Sequence, residues 1–93
     1  MDDDRRNALG RREILAAYLE VLDRLGELVA ICSTIEGDAG ELRNAVQAAF
    51  GLSPIAADAV LAMQVRRFTP EERQKIRSEL ADVDRWLGEA NGA

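Results

Sequence analysis

Apolar residues recur along this chain at intervals of three and four and never alternate with polar ones long enough to make a strand, so the pattern predicts an all-α fold. In the first third, Leu15, Tyr18, Leu22, Leu25, Val29 and Cys32 form one stripe. Ile14, Val21, Leu28 and Ile35 repeat beside it at sevens. A helix starting among residues 4–11 accounts for both, with Asp2, Asp3 and Asp4 placed to cap it and to face its positive end. A glycine inside a helix costs about 1 kcal/mol relative to alanine, so Gly26 predicts a bend or restart near residues 24–27 and two closely joined helices.

The composition of Glu36-Gly37-Asp38-Ala39-Gly40 marks a turn. After it, Leu42, Ala45, Val46, Ala49 and Phe50 share one face of a third helix, which Gly51 closes as its C-cap. The two prolines each stand where a helix begins. Ser53-Pro54 and Thr69-Pro70 both pair a hydroxyl N-cap with proline at the first helical position, and Thr69 with Glu72 spells a capping box. They predict a fourth helix over 54–68 and a fifth over 70–89, where Ile76, Leu80, Val83 and Leu87 are again spaced four, three and four. The expected architecture is a small bundle of about five helices. It has a charged N-terminal extension and helix start at 1–10, a single domain at 11–88 and a tail at 89–93.

The fourth helix differs from the rest in being apolar on two sides. At 100° per residue, Ile55, Ala56, Ala59, Val60, Ala62 and Met63 form one arc and Ala57, Leu61, Val65 and Phe68 the other. Two arrangements cover such a helix: it is wrapped entirely within one protomer, or its Leu61 and Val65 side meets a second chain.

Composition narrows the function. A chain of 93 residues holds one modest core, and its apolar runs fall short of the roughly 18 residues a membrane span needs. The opening Met1-Asp2-Asp3-Asp4-Arg5-Arg6 has none of the character of a secretory signal, so a cytoplasmic location is expected. Cys32 is the single cysteine and histidine is absent, which excludes an internal disulfide and a Cys/His metal site; the stripe predicts that Cys32 is a buried, unreactive core residue. The net charge of −5 disfavours double-helical DNA as a partner. Two basic clusters, Arg5, Arg6, Arg11 and Arg12, and Arg66, Arg67, Arg73, Lys75 and Arg77, leave weak DNA binding as a minor possibility, although neither is interleaved with aromatics.

No catalytic constellation emerges. Asp82 and Asp84 project about 200° apart on a helix and cannot share a metal or a proton. Glu71 and Glu72 are explained by the helix dipole, the glycines do not form a phosphate-binding loop, and Tyr18 lies on the apolar stripe. Trp86 is expected to pack the last helix onto the first. No catalytic residue, metal site or cofactor is expected.

The sequence does carry a resemblance. The segments Arg12-Glu13-Ile14-Leu15, Leu22-Asp23-Arg24-Leu25 and Phe50-Gly51-Leu52-Ser53 are followed by Ala59-Val60-Leu61-Ala62-Met63-Gln64-Val65-Arg66-Arg67-Phe68-Thr69 and Glu72-Arg73-Gln74-Lys75-Ile76. In this order they resemble the A subunit of bacterial DNA gyrase and topoisomerase IV, over residues 11–87. The resemblance implies the small helical domain at the tip of that family's coiled-coil arm, two of which meet to make the exit gate for transported DNA. It also implies a homodimer whose interface includes Ala57, Leu61, Met63, Val65 and Phe68. The full-length gyrase A subunit is an alternative partner, and the family's cleavage apparatus has no counterpart in these residues. Ala62 stands where the family usually has an acidic residue, and Val65 and Phe68 replace leucines, which implies a repacked contact surface.

Overall fold

The computed structural model describes residues 2–92, with side chains described through Glu89. It contains five α-helices and one short 3-10 turn, and no strand among the described residues. The helices are α1 (Asp3–Asp23), α2 (Leu25–Thr34), α3 (Ala39–Phe50), α4 (Pro54–Leu61) and α5 (Pro70–Gly92), with the 3-10 turn at Val65–Phe68. Asp2 caps α1, its side chain accepting from the Arg5 N–H at 2.7 Å; Asp38 caps α3 and Ser53 caps α4 in the same way. Gly51 ends α3 at φ 66°, a left-handed conformation in which a Cβ would be strained.

The break between α1 and α2 falls at Arg24, within the predicted stretch. Arg24 also ties the break to its surroundings. Its guanidinium reaches Glu20 at 2.9 Å and Glu27 at 2.5 Å, donates to the Ala49 carbonyl at 3.2 Å near the end of α3, and lies 4.5 Å from the Phe50 ring centre. The hydrogen bond from Arg24 holds the Glu27 carboxyl below its ordinary pKa. A depressed carboxyl pKa favours the fold above the unfolded-state value, so this contribution is present at neutral pH and fades as acid protonates Glu27.

Restarting the helix changes its phase, which corrects the expected burial of Cys32. Beyond Arg24, α2 packs through Leu25, Leu28 and Ile31, so Val29 and Cys32, the continuation of the Leu15 stripe, turn outward. Cys32 is exposed. A thiol-specific reagent should therefore label the native protein about as fast as the denatured one; strong protection in the native state would contradict the observed phase of α2.

Two clusters make up the core. Ala17, Val21, Leu28, Val46, Phe50, Ala56, Ala57 and Val60 join α1 to α4 through α2 and α3. Leu15, Leu22 and Ile76 join α1 to α5, with Met63, Phe68, Leu80 and Val83 packed around them. Tyr18, on α1, touches both. α1 and α5 run antiparallel: Asp23, at the end of α1, faces Arg77 near the start of α5 at 4.0 Å, while Arg12 donates to Asp84 at 2.6 Å further along. Their far ends form a stem on a molecule 50 Å long and 17 Å thick. Along that stem Trp86 is 42% exposed, standing over a groove shared with Asn7, Ala8 and Arg11 rather than sealing it.

The expected helix over 54–68 is not continuous. α4 ends at Leu61, Ala62 closes it, and the chain is extended at Gln64 before turning again at Val65–Phe68. A straight helix of fifteen residues would run about 22 Å in one direction. Here Ala56, Ala57 and Val60 fill one cluster while Met63 and Phe68 fill the other, and the bend lets one segment serve both.

Candidate functional site

The bend leaves a corner at residues 61–69, and its two sides have different fates. Met63 and Phe68 are half-buried against the Leu15, Leu22 and Ile76 cluster and hold the corner to α1 and α5. Leu61 is half-buried against the other cluster. Between these anchors Val65 projects into solvent at 74% exposure, the highest among the large hydrophobic residues that are exposed. The turn beneath it is closed by the Arg67 N–H donating to the Gln64 carbonyl at 2.9 Å, and the Thr69 hydroxyl accepts from the Glu72 N–H at 3.3 Å to start α5. Val65 therefore stands at the start of a hydrogen-bonded 3-10 turn.

Of the five residues expected at an interface, the structure brings Leu61, Met63, Val65 and Phe68 to this corner. Ala57 lies apart, fully buried in the first cluster with no surface to offer. The helical projection put Ala57, Leu61, Val65 and Phe68 on one face; the break after Leu61 separates them. Ile55, placed by the same projection on the core-facing arc, is 70% exposed at the start of α4.

Charge around the corner is uneven. An open polar recess beside it is lined by Tyr18, Gln64, Arg66, Arg67, Lys75 and the carboxylates of Glu72 and Glu79. Arg67 lies 5.5 Å from the Tyr18 ring centre and 4.0 Å from Glu72, and Lys75 is 3.4 Å from Glu72 and 3.9 Å from Glu71. Arg73 donates to the Leu22 carbonyl at 2.9 Å near the end of α1. Arg66, the residue after Val65, has no ion-pair or hydrogen-bond partner among the described residues. Sequence reasoning missed this imbalance, although Gln64, Arg66 and Arg67 following the apolar run at 55–63 are a signal that continuous burial ends there.

Most of the remaining basic residues are matched within the chain, Arg11 to Glu79 at 2.9 Å, Arg12 to Asp84 and Arg77 to Asp23 among them. Neither sequence cluster is thus a free basic patch. Among the described residues no group of acidic or cysteine side chains is close enough to hold a metal ion, and no helix is long and apolar enough to cross a membrane.

The chain matches no protein-family profile. Individual proteins do match. It is 34% identical over 85 residues to the DNA gyrase A subunit of Helicobacter pylori, an alignment that covers 91% of this chain and 10% of that protein. Against the DNA gyrase A subunit of Campylobacter jejuni it is 37% identical over 76 residues, 82% of this chain and 9% of the relative. Against that of Streptococcus pneumoniae it is 38% identical over 80 residues, 86% of this chain and 10% of the relative. The chain spans about a tenth of the length of these relatives. Over nearly all of its own length, the chain is a homologue of one short segment of the DNA gyrase A subunits.

Proposed function

We propose that this chain is a non-catalytic association module related to the exit gate of the gyrase A subunit, which pairs with a second copy of itself through the corner at residues 61–69. The observation that carries this reading is Val65, an exposed valine on a hydrogen-bonded turn, in the run where the resemblance to the gyrase family is most specific. Burying such a side chain against a partner recovers the stabilisation its exposure forgoes, and a two-fold pair is the commonest solution for a patch that can meet its own copy. The module acts by contact in the cytoplasm and neither cleaves DNA nor hydrolyses ATP. Its one tyrosine hydroxyl, on Tyr18, belongs to a half-buried residue packed between the two core clusters.

A second reading has support from identities of 34–38% to gyrase proteins: the chain docks on the matching segment of the full-length gyrase protein and competes with its closure. Light scattering on the native chain, by itself and mixed with full-length gyrase A protein, separates the two. Self-association gives twice the monomer mass at micromolar concentration, unchanged by the added protein. Formation of a stable mixed complex favours the second reading, and a monomer at concentrations far above micromolar overturns the first.

A further inference from the structure

The turn in which Val65 stands is held from three directions by the residue two places on. The Arg67 N–H donates to the Gln64 carbonyl at 2.9 Å and closes the stretch of backbone that contains Val65 and Arg66. The Arg67 guanidinium lies 5.5 Å from the Tyr18 ring centre on α1, inside the roughly 6 Å over which a cation is attracted to a ring face, and 4.0 Å from the Glu72 carboxylate on α5. The Arg67 and Glu72 side chains are 28% and 26% exposed, against 60% and 39% for Arg11 and Glu79 on the stem, so water screens this contact less. Met63 and Phe68 anchor the corner too, but apolar burial is non-directional, whereas a hydrogen bond and a planar guanidinium set orientation.

Resting on the self-association reading, we infer that Arg67 is the positioning residue of this corner: bridging Tyr18 and Glu72, it orients the turn so that Val65 meets a second copy in one arrangement. Arg67 acts within its own chain, and Val65 makes the contact. Losing the Arg67 side chain strands no charge, because Glu72 keeps Lys75 at 3.4 Å, so the cost falls on the turn more than on the fold. Arg67→Met keeps the length and apolar stem of the side chain and removes its hold on the ring and the carboxylate. Each copy must then order a freer turn on pairing, which should raise the dimer dissociation constant roughly five- to a hundredfold. Arg67→Lys, which keeps the charge without the planar fork, should fall between.

Sedimentation equilibrium on the native chain, Arg67→Met and Arg67→Lys gives the dissociation constants, and amide hydrogen exchange on dilute samples reads the turn in the single chain. Arg67→Met should pair more weakly and exchange faster at the amide of position 67, which closes the turn, while the amides of α1 and α5 keep their native rates. Circular dichroism should show the helices intact. Exchange that rises through α1 and α5 as well would make Arg67 a residue of the fold in general and overturn the inference. Weaker pairing with unchanged exchange at position 67 would mean that Arg67 touches the second copy directly, and it overturns the inference too. If the native chain dimerises and Arg67→Met pairs equally well, positioning by Arg67 is excluded while self-association stands. A native chain that stays monomeric far above micromolar concentration removes the self-association reading, and this inference with it.

Discussion

Ile76→Ala should destabilise the protein by about 2–5 kcal/mol, the range for deleting most of a fully buried aliphatic side chain. Ile76 has no exposed surface and is the only residue of α5 among the fully buried members of the cluster that holds α5 to α1. Its neighbours cannot readily collapse onto the gap, because Leu15 and Leu22 are fixed on the long α1 and Arg73, one turn away, is tied to the Leu22 carbonyl. A domain of this size has a total stability near the lower end of about 5–15 kcal/mol, so the loss is a large fraction of the whole. The melting temperature followed by circular dichroism should drop by at least about 8 °C, given about 4–8 °C per kcal/mol for domains of this length. Val29→Ala, at a side chain 55% exposed on α2, should change it little. Equal melting temperatures for native and Ile76→Ala proteins would mean that α5 is not held to α1 through this cluster.

Val65→Lys should have the largest effect on association. Val65 is exposed in the single chain, so the substitution leaves the core intact and the monomer folded. In a symmetric contact it places two ammonium groups together in an apolar centre, where each unpaired buried charge costs several kcal/mol. An interface formed by one small corner cannot absorb that cost. Leu61 is a poorer probe: it is half-buried against the first core cluster, and a charge there would disturb folding along with pairing.

The contrast between these residues shows which features the sequence revealed. Several helix boundaries were legible because they are local: Asp2, Ser53 and Thr69 each accept from an N–H three residues on, and Gly51 takes the left-handed cap, whereas Asp38, which caps α3 in the same way, was read only as part of a turn. The restart at Arg24 was legible from Gly26, but not its consequence, since the face α2 turns inward follows from the packing of Leu25, Leu28 and Ile31 against residues far along the chain such as Val46 and Phe50. Cys32 was misplaced for that reason. The end of α4 at Leu61 was hidden because residues 54–68 satisfy a helical period throughout, and only the positions of two separate core clusters make the chain bend there. The same bend put Ala57 in the core and Val65 in the open. Four of the five residues expected at an interface thus share one corner, while the exposure of Val65 and the burial of Ala57 required the fold.

The most direct test of the corner as the point of association compares two side chains of nearly equal exposure, Val65 at 74% and Ile55 at 70%. Sedimentation equilibrium on the native chain, Val65→Lys and Ile55→Lys asks whether either exposed apolar residue supports pairing. The expected result is a native dimer at micromolar concentration, a folded monomer for Val65→Lys, and a dimer of near-native affinity for Ile55→Lys. A dimer that survives Val65→Lys, or is lost with Ile55→Lys instead, would contradict the account.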